Sequence, residues 1–210
     1  MGACSVLAML TLRDRFGAID IYLFDQILRE RIVPGMRILD AGCGQGRNLV
    51  YFLREGYDVY GVDGEPRAIA ECRELAASLA PSLSPDNFRC EPVEEMSFPD
   101  EFADVVISSA VLHFAGSDEQ FLAVLRGSWR VLKRGGVFFC RLASTIGLEG
   151  ADRLGSGRRF HLPDGSERYL VDEPLLLRLT GELGGAMLDP LKTTVVQRQR
   201  SMTTWVLRKS

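Results

Sequence analysis

Short apolar runs alternate with longer amphipathic segments along most of the chain. The runs that predict β-strands are RILDA at 37–41, YDVYGVD at 57–63, NFRCE at 87–91, ADVVISS at 103–109 and GVFFCRLA at 136–143. Apolar residues at helical spacing predict helices over 17–31, 46–55, 65–79, 118–132 and 172–184. Such alternation is typical of an α/β fold, in which a mostly parallel sheet carries helices on both faces.

The last third of the chain follows a different pattern. Between 158 and 171 the sequence RRFHLPDGSERYLV places a PDGS turn between two short extended runs, which predicts a hairpin. Two β-rich runs, KTTVVQ at 192–197 and MTTWVLR at 202–208, then follow in quick succession. Their spacing predicts an antiparallel hairpin at the end of the chain.

Composition favours a single domain that acts on a small molecule. With 210 residues, 46% of them hydrophobic, the chain is long enough for one well-buried core. We expect one domain over 1–210, with a helical cap at 1–34 and a hairpin insertion at 144–171. The formal charge of −3 and the pI near 5.5 provide no general attraction for nucleic acid or an anionic membrane.

The cysteines and the N-terminal stretch indicate a cytoplasmic protein. The five cysteines form an odd set without a CxxC pair, which fits reduced thiols and implies no disulfide framework and no metal site. The apolar stretch at 4–10 lacks a basic flank and is too short to span a bilayer. We therefore expect a soluble, cytoplasmic protein, whose oligomeric state the sequence leaves open.

A glycine-rich turn follows the first predicted strand. The segment RILDAGCGQGRNL at 37–49 has glycines at 42, 44 and 46, where a backbone can approach a ligand closely. A dinucleotide-binding fingerprint, GxGxxG, would require its third glycine at the position of Arg47. The spacing therefore argues against a nicotinamide dinucleotide.

The pattern that remains, DxGxGxG at 40–46, resembles motif I of class I S-adenosylmethionine-dependent methyltransferases. The segment VYGVDGEP resembles the family's second strand, with Asp63 at the acidic ribose-binding position. Two later segments are also similar to the family: PVEEMSFPDEFADVVISSAVLHF at 92–114 and WRVLKRGGVFF at 129–139. The resemblance implies a Rossmann-like fold with a seven-stranded, mostly parallel sheet and an antiparallel C-terminal strand.

Within this family, the segment GCGQGRNLVYFLREGYDV at 42–59 resembles tellurite-resistance methyltransferases. The family implies that Asp63 accepts hydrogen bonds from two ribose hydroxyls, with helix capping as its alternative role. Val93 would offer its backbone N–H to adenine, while Pro92 replaces a frequent aspartate, so that Glu91 or Glu94 could make that contact. The implied cofactor-binding set is Tyr22, Asp40, Gly42, Cys43, Gly44, Arg47, Asn48, Asp63, Gly64, Pro92, Val93, Glu94 and Ser108.

Five of these residues have two interpretations each. Asp40 would orient the loop amides or the cofactor's amino group, or else only hold the turn. Arg47 and Asn48 would reach the cofactor's carboxylate or face solvent in the first helical turn. Tyr22 would cap the cofactor or pack into the core. Ser108, at the predicted end of the fourth strand, is expected beside the methionine moiety, with a small turn residue as the alternative.

Candidate catalytic and acceptor-binding residues lie outside the glycine motif. His113 follows the fourth strand, where the family exposes the methyl group, and could act as a general base or be structural. Arg141 ends an apolar strand, where a charge needs a partner, so it is a substrate candidate. The insertion presents Arg158, Arg159 and His161 beside glycines that would serve as hinges of a substrate lid, with a solvated hairpin as the alternative.

We therefore expect methyl transfer from S-adenosylmethionine to a small molecule, with S-adenosylhomocysteine as the product. An RNA or protein methyltransferase is one alternative, because the C-terminal hairpin is basic, although no DPPY-type tetrapeptide follows the fourth strand. The basic residues of this C-terminal hairpin are Lys192, Arg198, Arg200, Arg208 and Lys209. A non-catalytic module that binds S-adenosylmethionine is the second alternative.

Overall fold

A computed structural model describes residues 10–148, 152–153 and 157–210. Its strands are β1 Arg37–Ala41, β2 Asp58–Asp63, β3 Phe88–Cys90, β4 Ala103–Ser109, β5 Leu132–Ala143, β6 Asp152–Arg153, β7 Arg159–His161, β8 Glu167–Tyr169, β9 Gly185–Met187, β10 Lys192–Val196 and β11 Arg200–Lys209. The central sheet has the order β10-β11-β5-β4-β1-β2-β3. Strands β1 to β5 pair in parallel, and β11 is antiparallel to β5. The Rossmann-like fold class is confirmed.

The sheet contains eight strands rather than the seven predicted. The additional strand, β9, pairs with Leu207 to Lys209 at one end of β11, while β10 pairs with the other end of the same edge. Pro190 lies between β9 and β10 and has no N–H to donate to a strand ladder. The two short strands are therefore one interrupted edge, and the predicted C-terminal hairpin is confirmed as β10 and β11.

Six α-helices flank the sheet or precede it within the described residues. They are α1 Leu12–Phe16, α2 Ile21–Leu28, α3 Val50–Arg54, α4 Pro66–Leu79, α5 Asp118–Arg130 and α6 Glu173–Glu182, with 3-10 turns at Pro85–Asn87, Val93–Glu95 and Leu112–Phe114. The predicted helix at 17–31 is wrong at its start. Gly17 ends α1 at a φ of 63°, and the Asp20 carboxylate caps α2 by accepting from the Tyr22 N–H at 3.0 Å.

The pleat of the sheet divides the interior into two cores. Val137 and Phe139 of β5 pack on the side of α2, α3 and α4, whereas Phe138 and Cys140 pack on the side of α5 and α6. This alternation follows from the period of two along a strand, and both faces are buried as expected for a parallel sheet with helices on each side. The carboxyl ends of β1, β2 and β4 consequently meet at one edge, beneath the glycine turn.

The predicted insertion forms a small antiparallel sheet of β6, β7 and β8. Gly165 takes a φ of 82° in the turn between β7 and β8, which places the turn where PDGS predicts it. Phe160, Leu162 and Leu170 form a third core cluster with Ala143, so the insertion is anchored to the end of β5. The predicted hinge positions Gly150 and Gly155, and the stretch at 4–9 with Cys4, lie outside the described residues.

No helix in the described ranges is long and apolar enough to cross a lipid bilayer.

Candidate functional site

A cavity of about 480 Å³ opens at the carboxyl ends of β1, β2 and β4. We call it the first cavity. Its walls are Gly42, Cys43, Gly44, Gln45, Arg47, Asn48, Asp63, Gly64, Val93, Ser109, Ala110, Val111 and Phe114. Ligands of open α/β sheets bind in this position, outside the carboxyl ends of the strands.

The amides of the glycine turn bond within the protein. The N–H groups of Gly42 and Cys43 both donate to the Val62 carbonyl, at 2.8 and 3.0 Å. The Gly44 N–H donates to Oδ2 of Asp63 at 2.9 Å. A phosphate-binding loop instead presents such amides to its ligand. The occupied amides therefore agree with the argument against a dinucleotide.

Two glycines of the turn are required for different reasons. Gly42 has a φ of 88°, and a Cβ there would lie 2.3 Å from Cγ2 of Val111, so packing excludes a side chain. Gly44 has a φ of 52°, but its Cβ would meet no atom within 4 Å. A side chain at Gly44 would thus occupy cavity space, where a ligand can approach the backbone.

Asp63 is fixed by two backbone amides and still faces the first cavity. Its Oδ2 accepts from Gly44, and its Oδ1 accepts from the Glu65 N–H at 2.9 Å. Glu65, not Asp63, is the N-cap residue of α4, since its side chain accepts from the Arg67 N–H. A carboxylate has about four acceptor positions, so Asp63 retains capacity for two hydroxyl donors.

Asp40 is a buried carboxylate without a partner. It is 1% exposed, and neither of its oxygens has a hydrogen-bond partner among the described residues. Burial raises the pKa of Asp40 to about 8, an effect that the nearby Arg47 opposes. Asp40 makes no hydrogen bond to the turn amides within the described residues, so no direct contact supports either its orienting of those amides or its holding of the turn. Its unpaired oxygens fit a cationic ligand group.

Arg47 and Asn48 are both held by other elements. Arg47 is exposed, but its Nη2 donates to Oγ of Ser109 at 3.0 Å across the first cavity. Asn48 is 3% exposed and accepts from the Asp20 N–H at 3.0 Å through its Oδ1. The solvent-facing alternative is therefore wrong for Asn48, and Arg47, whose Nη1 also donates to the Ala18 carbonyl at 3.4 Å, lines the cavity.

Asp20 is the residue that sequence analysis does not find. Its Oδ2 accepts from Arg141 Nη1 at 3.1 Å and from Ser109 Oγ at 3.3 Å, while its backbone N–H binds Asn48. Through its backbone N–H and its carboxylate, this single residue joins the N-terminal segment to the glycine turn, β4 and β5. In the sequence it carries only the signature of a helix N-cap before IYLFDQIL.

Five predicted cofactor-binding residues do not line the first cavity: Tyr22, Asp40, Pro92, Glu94 and Ser108. β4 continues to Ser109, whose side chain faces the cavity, whereas Ser108 is fully buried beside Cys140. Of the predicted adenine loop, Val93 lines the cavity, and Pro92 and Glu94 do not. β4 has the predicted bounds 103–109, but its cavity-facing residue is Ser109 rather than Ser108, because successive residues of a strand face opposite sides.

Glu91 and Tyr22 are committed elsewhere. The Glu91 carboxylate accepts from the Ser97 N–H and hydroxyl, each at 2.7 Å, so it holds the loop. The Tyr22 hydroxyl bonds to Oγ1 of Thr194 at 2.7 Å, and its ring lies 5.5 Å from the Arg141 guanidinium carbon. Tyr22 does not line the first cavity, so the structure favours its packing role over the predicted cap.

A second cavity of about 280 Å³ adjoins the first one, and Ala110 lines both. His113 lies in its wall, 6% exposed, and its Nδ1 accepts from the Ala143 N–H at 3.3 Å. Burial, followed by the charges of Arg168 and Arg141, lowers the pKa of His113 to about 4. The imidazole is therefore neutral with its proton on Nε2, an arrangement that suits a structural acceptor better than the predicted general base.

The predicted acceptor-binding residues of the insertion face away from the second cavity. Arg158 pairs with Asp172 at 2.9 Å, Arg159 pairs with Glu167, and His161 is exposed. The second cavity instead contains Arg168 from β8, together with Arg141 from the predicted set. In the β7–β8 pair Arg168 lies opposite Phe160 and shares its face, whereas Arg159 and His161 lie on the other face.

Comparison with known proteins agrees with this geometry. Residues 39–140 match a family described as a methyltransferase domain. An uncharacterized methyltransferase of Synechocystis sp. is 32% identical over 109 residues, which are 51% of this chain and 47% of that protein. A ubiquinone biosynthesis O-methyltransferase of Bradyrhizobium sp. is 28% identical over 172 residues, which are 75% of this chain and 64% of that protein. The chain thus spans about half to two thirds of these relatives.

Solved structures share the complete fold. The 1,6-didemethyltoxoflavin-N1-methyltransferase of Burkholderia thailandensis has a TM-score of 0.65 at 22% identity, over 88% of this chain and 75% of that one. TehB from Haemophilus influenzae has a TM-score of 0.65 at 20% identity, over 89% of this chain and 62% of that one. The chain therefore matches a methyltransferase domain over residues 39–140 and shares the fold of these methyltransferase structures, in agreement with the resemblance seen in the sequence.

Proposed function

We propose that this protein transfers a methyl group from S-adenosylmethionine to a small-molecule acceptor and releases S-adenosylhomocysteine. One observation carries the proposal: Asp63, a carboxylate suited to a vicinal diol, is bonded to a glycine turn whose amides are engaged within the protein. A nucleoside without a phosphate fits this arrangement, whereas a dinucleotide does not. The match to a methyltransferase domain supports the same nucleoside.

The residues present fit the cofactor at both of its ends. Asp63 would hold the ribose hydroxyls, and Val93 would lie against adenine with its backbone N–H. The unpaired carboxylate of Asp40 would receive the ammonium group, and Arg47 would reach the carboxylate of the methionine moiety. When bound, S-adenosylmethionine supplies a methyl group that its sulfonium has already activated.

The chain itself would position the two reactants and exclude water, rather than supply strong acid–base chemistry. Ala110 separates the two cavities with a φ of 64°, which is strained for a residue with a Cβ, and its N–H donates to the Arg141 carbonyl at 2.8 Å. We assign the acceptor to the second cavity and a covering role to the insertion at 144–171, which supplies Leu162 and Arg168 to that cavity. His113 and Arg141 would shape this site.

Two comparisons support a small-molecule acceptor. The Burkholderia thailandensis structure holds 1,6-didemethyltoxoflavin, and the Bradyrhizobium relative is named for ubiquinone biosynthesis. An RNA acceptor has less support, because two of the basic residues of the C-terminal hairpin are engaged internally. Lys192 pairs with Asp25 at 3.3 Å, and Lys209 Nζ donates to the Leu132 carbonyl at 2.7 Å.

Calorimetric titration and turnover profiling test the proposal together. We expect S-adenosylmethionine and S-adenosylhomocysteine to bind, and NADH to show no comparable binding. Incubation with labelled S-adenosylmethionine and a metabolite extract should then give a small methylated product, identified by mass. Tight NADH binding would reverse the choice of cofactor. A salt-dependent mobility shift with RNA would favour the RNA alternative, and cofactor binding without S-adenosylhomocysteine formation in any extract would favour a binding module.

A cytoplasmic location belongs to the same proposal. The four cysteines within the described residues, Cys43, Cys72, Cys90 and Cys140, are unpaired. Three of them are buried, where a free thiol behaves as a small apolar group. Cell fractionation with an antibody against the protein would test the location.

A further inference from the structure

We propose that the second cavity recognises an acceptor through an oxyanion, a carboxylate or a phosphate group, held by Arg141, Arg168 and Arg200. This inference rests on the proposed function, because it names the chemical class of the acceptor for the same methyl transfer. The three arginines come from β5, β8 and β11, and all of them line this cavity.

The charges in the second cavity do not cancel. Asp164 is its single acidic residue, and its Oδ1 already accepts from the Ser166 N–H and hydroxyl, at 3.0 and 2.6 Å. His113 adds no charge near neutral pH, since its pKa is lowered to about 4. Arg141 is also paired with the buried Asp20 carboxylate at 3.1 Å, behind the cavity wall. Three guanidinium groups against these two carboxylates leave a net charge of +1 in a concave site. Such a site attracts anions.

The arginines are oriented by contacts that leave donors free for a ligand. Arg141 is anchored to Asp20 through Nη1 and its side chain is 23% exposed, which leaves the other terminal nitrogen, Nη2, for a ligand. Arg168 donates from Nη1 to the Glu167 carbonyl at 2.6 Å and lies 4.8 Å from the Phe114 ring centroid. A guanidinium group carries five N–H donors, so both residues can still form a fork with an oxyanion.

The position of the charges fits methyl transfer. Ala110 belongs to both cavities, and Phe114, beneath Arg168, lines the first one. An acceptor whose anionic end lies among the arginines would therefore direct its other end toward Ala110 and the first cavity. With a volume of about 280 Å³ and apolar walls at Leu162 and Met202, the site suits a small acceptor with an apolar body.

The test measures anion binding directly, in protein saturated with S-adenosylhomocysteine. Benzoate, its neutral analogue benzamide and inorganic phosphate are titrated by calorimetry at low ionic strength. We expect benzoate or phosphate to bind at least about tenfold more tightly than benzamide. The variant Arg168→Gln/Arg200→Gln should lose at least about tenfold of that affinity. Arg208→Gln, on the same strand β11 but outside the cavity, should bind the anion as the unmodified protein does.

The outcomes separate this inference from the function on which it rests. Preference for benzoate indicates a carboxylate-bearing acceptor, and preference for phosphate indicates a phosphorylated one. Failure of both anions to bind more tightly than benzamide overturns the inference, as does full anion affinity in the double variant. S-adenosylhomocysteine affinity, measured separately, verifies that the variants are folded. If S-adenosylhomocysteine does not bind the unmodified protein, the proposed function fails, whatever the anions do.

Discussion

The two adjoining cavities are built in different ways. The first cavity is formed largely by the turns that follow β1 and β2, at 42–48 and 63–64, and backbone amides fix the carboxylate of Asp63. The second cavity is assembled from β5, the insertion and the C-terminal hairpin, and side-chain charges dominate it. The backbone-built cavity carries the recognition common to the family, whereas the side-chain-built cavity can change its ligand by changes of single residues.

Among variants that test this difference between the cavities, Gly44→Val is expected to have the largest effect, a loss of cofactor affinity. The branched side chain would enter the first cavity at a φ of 52°, so cofactor affinity should fall at least about 200-fold, roughly 3 kcal/mol. Gly56→Val is the matched control, because Gly56 has a φ of 73° and open space but lies far from the cavity. Calorimetry should show both variants destabilised and only Gly44→Val deficient in binding. Equal affinity in the two variants would contradict the assignment.

Asp63→Ala should weaken cofactor binding by about 2 kcal/mol, roughly 30-fold, because the ribose hydroxyls lose a charged acceptor. Asp58→Ala provides the control at the opposite end of β2, where the carboxylate is exposed and pairs with Arg37. Anion binding in the second cavity should be unchanged in both variants. Unaltered cofactor affinity in a folded Asp63→Ala protein would show that the ribose assignment is wrong.

Asp40→Asn is expected to lower cofactor affinity about tenfold and to stabilise the ligand-free protein. The folded chain keeps the Asp40 proton to a pKa of about 8, whereas the unfolded chain releases it near 4. Between these values the folded state binds more protons, so stability falls as the pH rises. The free energy of unfolding of the variant should therefore exceed that of the unmodified protein by about 1–3 kcal/mol at pH 8 and by little at pH 4, as measured by urea denaturation.

Asp104→Asn is the opposite control for that experiment. Burial alone would raise the pKa of Asp104, but hydrogen bonds from Lys133 and Arg37 outweigh it and the net shift is downward. Its neutral variant should be less stable near pH 7, and the deficit should disappear as the pH falls below the pKa of the folded carboxyl. If both variants respond to pH in the same way, the unpaired state of Asp40 is contradicted.

His113→Gln should have the smallest effect of these variants and should leave cofactor binding in the first cavity nearly unchanged. Glutamine can accept from the Ala143 N–H, so we expect a loss of about 1 kcal/mol in stability and cofactor affinity within about twofold. Since the pKa of His113 is about 4 when folded and 6.5 when unfolded, stability falls as the pH drops through that window. The variant should therefore lose less stability than the unmodified protein as the pH falls. A hundredfold loss of turnover would restore the general-base role.

Local sequence signals were sufficient for the first cavity. The glycine spacing and Asp63 lie within about one βαβ unit, where strand ends and turn residues determine the geometry. The alternation of strands and helices also predicted a mostly parallel sheet, and the family resemblance implied its antiparallel C-terminal strand. The bounds of β4 agree with the predicted run at 103–109, but the predicted ligand-facing residue, Ser108, is buried and Ser109 faces the cavity, because successive residues of a strand face opposite sides.

The second cavity depends on contacts between distant parts of the chain, which no local pattern reveals. Asp20 reaches residues 28, 89 and 121 positions away. The second cavity contains Arg168 rather than the predicted Arg158 and Arg159, and the sequence did carry a signal for this difference. Phe160 and Leu162 alternate with polar residues, so a PDGS turn of fixed register places Arg168 on their face. The two-residue alternation of side chains along a strand, applied to this hairpin, would therefore have identified Arg168.

The unpaired carboxylate of Asp40 also links the lifetime of this protein to the supply of its ligand. An empty chain contains a buried acid that favours opening above pH 4, and partially open chains are degraded by proteases in the cell. A ligand that binds only the native state adds stability in proportion to the logarithm of its concentration. We therefore expect pulse-chase half-lives to shorten when cellular S-adenosylmethionine is depleted, and to do so less in Asp40→Asn, so that abundance follows methyl-donor supply.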